Sequence, residues 1–105
     1  MRVVFWGSPE FAVTVLEALL ASEHEVAGIV TRPPEPGGRG RRPRATPVAR
    51  RAESAGLPTL APDRLRGAAV RTELDALGAD VFLVAAYGAI LPPDILSLPP
   101  QGSLN

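Results

Sequence analysis

The chain is 105 residues long, and its eleven basic residues, all arginine, balance eleven carboxylates, so it has no net charge and no global field of the kind that draws a protein onto nucleic acid. That length holds one domain with a modest core, and the absence of cysteine excludes disulfides, thiolate catalysis and cysteine-ligated metal within these residues. MRVVFWGSPEF lacks the apolar run of a secretion signal, and the longest apolar stretch, residues 81–87, is too short to span a bilayer, so a cytoplasmic setting without a membrane partner is expected.

RVVFW, residues 2–6, is a β-rich apolar run without alternation, which suits a strand covered on both faces. Gly7, Ser8 and Pro9 break it. Ser8 as N-cap, Pro9 as first helical residue and Glu10 in the first turn predict a helix on which Ala12, Val15, Leu16, Leu19 and Leu20 recur at helical spacing. EVAGIVT, residues 25–31, reads as a second buried strand and completes a βαβ unit. After a long loop, residues 32–45, Thr46 and Pro47 repeat the cap-and-proline signature ahead of VARRAESAG, a helix ending at Gly56. LPTL can form a short third strand. GAAVRTELDALG sets Val70, Leu74 and Leu77 on one helical face and stops at Gly78, and DVFLVAAYG, residues 80–88, is the next strand. Alternating elements of this length predict an α/β fold with a doubly wound parallel sheet. AILPPDILSLPPQGSLN then gives a proline-bounded turn of helix and, from Gly102 to Asn105, the opening of a further strand, so the chain is expected to be the front part of something longer.

The charge balance is uneven along the chain. Arg32, Arg39, Arg41, Arg42, Arg44, Arg50 and Arg51 crowd one stretch that holds a single acid, Glu35. A long connection inside an α/β domain is either functional or a flexible insertion. Gly37, Gly38 and Gly40 alternate with arginines, which lets the backbone approach a surface while guanidinium groups fork onto phosphates, and the prolines limit the states lost on binding. These features fit RNA or another polyphosphate better than a spacer.

WGSPEFA occupies the place of a dinucleotide-binding G-x-G-x-x-G, but only Gly7 is present, and Pro9, Glu10 and Phe11 would block and repel a pyrophosphate. AAYGAILPP follows a strand at its carboxyl end, where open α/β sheets bind ligands. Either a flat apolar ring lies against its small residues, or Tyr87 packs beneath a buried loop. His24 reads as a turn residue at the opposite edge, and Asp80 and Asp94 as caps or strand-entry residues. No His and carboxylate spacing makes a metal site, and no general base stands near the carboxyl edge, so any acid–base residues would lie beyond Asn105.

VVFWGSPEFA, TRPPEPGGRGRR with the TPVA after it, and LVAAYGAILPPDIL, in this order and spacing, resemble the amino-terminal part of the methionyl-tRNA formyltransferase family. The resemblance implies a Rossmann-like formyltransferase fold, incomplete here, with residues 1–105 as the amino-terminal portion of the catalytic domain. It implies transfer of a formyl group from 10-formyltetrahydrofolate, without a metal, to the amino group of methionyl initiator tRNA. By the same resemblance, basic loop 32–45 would meet tRNA through Arg39, Gly40, Arg41, Arg42 and Arg44. Tyr87, Gly88, Ala89, Ile90 and Leu91 would bind folate, and QGSLN would make Asn105 the catalytic asparagine, with its histidine and aspartate partners further on. Trp6 stands where that family commonly has small or apolar residues. The other readings are a formyltransferase acting on a sugar nucleotide or other small amine, which the long loop disfavours, and a non-catalytic RNA-binding α/β module. A polypeptide of residues 1–105 alone should show no formyl transfer above background in a turnover assay.

Overall fold

A computed structural model of the chain describes residues 1–36, Gly40 and residues 42–105. Five strands, β1 (Arg2–Trp6), β2 (Glu25–Val30), β3 (Thr59–Leu60), β4 (Val81–Val84) and β5 (Ser103–Leu104), form one parallel sheet in the order β3-β2-β1-β4-β5. Between them run α1 (Glu10–Leu20), α2 (Pro47–Ser54), α3 (Ala68–Ala76) and α4 (Pro93–Leu96). This is the doubly wound parallel arrangement that the alternating pattern predicts.

The unbroken apolar run of β1 has its reason in the layers. Val3 and Phe5 pack with Leu16, Ile29, Val48 and Ala52 beneath α1 and α2, while Val4 and Trp6 point the other way into a cluster with Val70, Leu74, Phe82 and Ile95. Successive side chains of a strand face opposite sides, so a strand covered twice needs apolar residues at every position. Phe5 and Trp6 are fully buried, and burial on this scale stabilises by ~2–3 kcal/mol per large side chain. At the amino edge Arg2 fastens three elements. Its guanidinium donates to the carbonyls of Leu77 and Gly78 at 2.9 and 3.0 Å and pairs with Glu25, while Asp80 accepts the Arg2 amide at 2.7 Å. Asp80 is therefore a strand-entry residue, Asp94 pairs with Arg71 between α4 and α3, and His24 sits at the amino edge beside the Met1 amino group.

Thr46 caps α2 as predicted, its hydroxyl accepting the Ala49 amide at 3.1 Å with Pro47 as the first helical residue. Two local predictions need correction. Ser8 does not cap α1. The cap position is Pro9, in extended backbone and with no side-chain cap bond, because the Ser8 hydroxyl is taken up elsewhere. The fourth strand also ends at Val84 rather than running to Gly88. Ala86 turns into the left-handed region at φ 56° and Gly88 follows at φ 100°, which swings the chain off the sheet.

The first βα turn leaves no room for a side chain at Gly7. A Cβ there would stand 2.9 Å from both the Ala12 Cβ and the Ala85 carbonyl oxygen, and 2.7 Å from the Phe5 ring. Gly7→Ala should therefore destabilise the full-length protein by ~1–3 kcal/mol, seen as a lower denaturant midpoint at unchanged slope. An unchanged midpoint would mean that β1 and the turn after β4 are not packed this closely.

Candidate functional site

The order β3-β2-β1-β4-β5 puts the reversal of winding between β1 and β4, and ligands of open α/β sheets lie outside the carboxyl ends of the strands at that point. The turn after β1 meets the turn after β4 there. The Ser8 hydroxyl donates to the Tyr87 carbonyl at 2.6 Å and accepts the Arg32 amide at 3.1 Å, while the Ser8 carbonyl accepts the Val48 amide at 3.3 Å. The turn after β4 is thereby fixed to the start of the basic loop and to α2.

Two cavities flank segment 86–88, and Ala86 and Tyr87 border both. One, of about 760 Å³, lies between the first turn, the described part of the basic loop and α2; Arg32, Arg44 and Arg50 outnumber the single acid, Glu35, among prolines, Ser8 and Thr46 in its lining. The other, of about 470 Å³, is lined by Val84, Ala89, Ile90, Leu91, Leu96, Leu104 and Asn105 and is mostly aliphatic. A basic, phosphate-compatible space thus lies on one side of the segment and an apolar slot ending in a carboxamide on the other. Among the described residues no group of His, Asp and Glu side chains is placed to hold a metal ion, and no helix is long and apolar enough to cross a membrane.

The loop itself has a stem. Glu35 and Arg44 exchange backbone hydrogen bonds of 2.9 and 3.0 Å, an antiparallel bridge between the two ends of the loop. Gly40, Arg42 and Arg44 are exposed on it, and Arg39 and Arg41 lie outside the described residues. Gly88 needs to be glycine because its φ is +100°; the space beside it would admit a Cβ, which would meet the Arg32 side chain at an ordinary contact distance of 3.4 Å.

The structure brings Tyr87, Ala89, Ile90, Leu91 and Asn105 to one cavity, while Gly88 faces the other. Tyr87 reaches the cavities through its turn, because its side chain is only 2% exposed and lies in the core, edge-on to Trp6 at 5.1 Å. Trp6, unusual in sequence, packs against Phe82 at 5.3 Å as well. Ile90, by contrast, is 94% exposed at the rim. Sequence reasoning missed the Ser8 hydroxyl as a cross-link, the strained backbone of Ala86 and the approach of Arg32 to the cavity. The available signal was the placing of polar Thr31 and Thr46 at the ends of buried elements. For Ala86 there was none.

The Arg32 guanidinium stands 5.9 Å from the centre of the Tyr87 ring, within reach of a cation–π contact. Burial pushes the Tyr87 phenol above its ordinary pKa near 10, and the neighbouring guanidinium pulls it partly back. No hydrogen-bond partner reaches the phenolic oxygen among the described residues. The folded-state pKa lies above the unfolded one, so this group's contribution is fully present below about pH 10 and is lost as pH rises through the raised folded value. Tyr87→Phe should therefore change stability at pH 7 by no more than ~1 kcal/mol, since it removes an unpaired polar atom, and should flatten the alkaline fall in stability. Denaturation of both proteins across pH 8–12 checks this; parallel alkaline curves would refute it.

A model of the formyl transferase family matches residues 1–105. The chain is 51% identical over 105 residues to the methionyl-tRNA formyltransferase of Ruegeria pomeroyi and 54% identical over 105 residues to that of Cereibacter sphaeroides strain ATCC 17025. Each match takes in 100% of this chain, which spans 35% and 34% of the two relatives' lengths. Among solved structures, phosphoribosylglycinamide formyltransferase from Bacillus halodurans matches with a TM-score of 0.71 at 20% identity, covering 98% of this chain and 54% of that one, a likeness of fold. With the family model matched from Met1 to Asn105 on a parallel sheet of this order, the chain belongs to the formyl transferase family.

Proposed function

We propose that this chain is the amino-terminal portion of the catalytic domain of a cytoplasmic enzyme that transfers a formyl group from 10-formyltetrahydrofolate to the amino group of methionyl initiator tRNA. The observation that carries this reading is the pair of cavities sharing the wall of residues 86–88, one basic and one apolar with Asn105 at its end. Two substrates of opposite character, a polyphosphate and a flat ring system, need such a division. The two relatives cited above, about half identical to this chain, bear the name of that activity.

In this reading Arg39, Gly40, Arg41, Arg42 and Arg44 contact tRNA, the guanidinium groups forking onto phosphate oxygens. The segment Tyr87–Leu91 receives the folate ring against its backbone and the aliphatic side chains of Ile90 and Leu91, with Tyr87 supporting it from beneath. In the transfer itself the methionyl amine attacks the formyl carbon, a new C–N bond forms, the bond to the folate nitrogen breaks, and the amine proton ends on that nitrogen. The oxygen of the tetrahedral species carries developing negative charge, and the Asn105 amide is a donor that meets it without bringing a charge of its own. Proton transfer falls to groups outside residues 1–105.

Formylation of methionyl-tRNA by the full-length protein, with 10-formyltetrahydrofolate as donor, tests the reading. Asn105→Ala should lower kcat by ~10²–10³-fold. Replacing Arg41 and Arg42 by alanine should raise the KM for methionyl-tRNA about tenfold and reduce the salt slope of tRNA binding by ~0.7–0.9 for each phosphate that the loop ceases to neutralise, leaving donor affinity within about twofold. Equal loss for both substrates would make the loop a structural element. Binding of RNA without binding of folate would make the protein a non-catalytic module.

A further inference from the structure

Among the described residues, the buried polar side chains are Ser8, Thr31 and Thr46, and they form a single chain. The Thr46 hydroxyl accepts the Ala49 amide at 3.1 Å and lies 2.6 Å from the Thr31 hydroxyl; Thr31 reaches the Ser8 hydroxyl at 3.4 Å, and Ser8 donates to the Tyr87 carbonyl at 2.6 Å. One consistent direction runs through the chain, each hydroxyl aiming its proton at the next oxygen and the last at the carbonyl; the Thr31–Ser8 step, at 3.4 Å, is its longest and weakest link. Neutral hydroxyls aligned head to tail polarise one another, and each would be costly to bury alone.

The positions of these three residues give the chain a use. Thr31 is the last residue before the basic loop and Thr46 the first after it, so the chain clasps the loop at both roots. Its other end holds the Tyr87 carbonyl, in the wall that the two cavities share. The Arg32 amide, donating to Ser8, adds a second tie from the loop's first residue. We propose that Ser8, Thr31 and Thr46 are positioning residues, which fix the basic loop against the wall of the donor cavity so that an acceptor held by the loop presents its amine at the correct depth. This rests on the methionyl-tRNA reading above. The three hydroxyls are buried and engaged with one another and with the Tyr87 carbonyl, so they set the distance between two binding surfaces that otherwise have separate elements beneath them. Misplacement of reacting groups by about 1 Å costs on the order of 100-fold in rate, so such a clasp acts on turnover more than on binding.

Thr31→Val in the full-length protein removes the central hydroxyl with little change of shape, and Thr31→Ser keeps it. Thr31→Val should lower kcat for methionyl-tRNA by on the order of 10–100-fold, with both KM values within about twofold, and Thr31→Ser should restore most of it. Ser8→Ala should act in the same direction and also speed hydrogen exchange of the Arg32 amide. Unchanged kcat in Thr31→Val, a fall that Thr31→Ser does not rescue, or a loss that follows thermal stability and both KM values together would overturn the proposal. Wild-type protein unable to formylate methionyl-tRNA would instead bring down the functional reading on which it stands.

Discussion

The buried hydrogen bond from the Ser8 hydroxyl to the Tyr87 carbonyl, at 2.6 Å, holds together the two turns on which the carboxyl edge of this sheet is built. Those turns belong to strands that are neighbours in space and far apart in sequence, and nothing covalent keeps them in register. Gly7 lets the first turn approach the Ala85 carbonyl as closely as backbone can, and Ser8 then converts that proximity into a directed bond. The same oxygen also accepts the Arg32 amide, so the wall between the cavities, the root of the basic loop and the opening of α1 share one anchor. A hydroxyl used in this way is unavailable as a helix cap, and α1 begins at Glu10 with Pro9 in the cap position and no side-chain cap bond.

Strain and unpaired polarity gather at the same place. Ala86 adopts a left-handed backbone that costs a side-chain-bearing residue of order 1 kcal/mol, and it does so in the wall that both cavities share. Beneath it the Trp6 indole nitrogen and the Tyr87 phenol are buried without partners among the described residues. Structures relieve such features unless the surroundings hold them in place, and here the packing of three aromatic rings with the Ser8 bond does so. The turn after β4 is thus preorganised rather than relaxed.

Electrostatics divides the edge along the same wall. Zero net charge leaves long-range steering to the local excess of arginine, which is strongest along residues 32–51. Arg32 is held back from that role by its place against Tyr87 and Gly88, where its stem packs and its guanidinium faces a ring. Arg42 and Arg44, further out, are exposed to solvent, while the opposite cavity has aliphatic walls.

The sequence by itself determined the sheet class and the family, because both are written in local pattern. An unbroken apolar run at residues 2–6 means a strand buried on two faces, Thr46 followed by Pro47 opens a helix through its own cap, and three motifs in register carry the resemblance that the family match bears out. The basic loop was legible for the same reason, since its composition is a property of adjacent residues. Tertiary structure alone decided what joins those pieces. The employment of Ser8, the end of β4 at Val84, the burial of the Tyr87 side chain and the meeting of Asn105 with Ala89–Leu91 all depend on residues brought together from separate parts of the chain. A hydroxyl chooses between its own helix and a distant carbonyl by which partner lies closer in the folded molecule, and no pattern of neighbours along the chain records that distance.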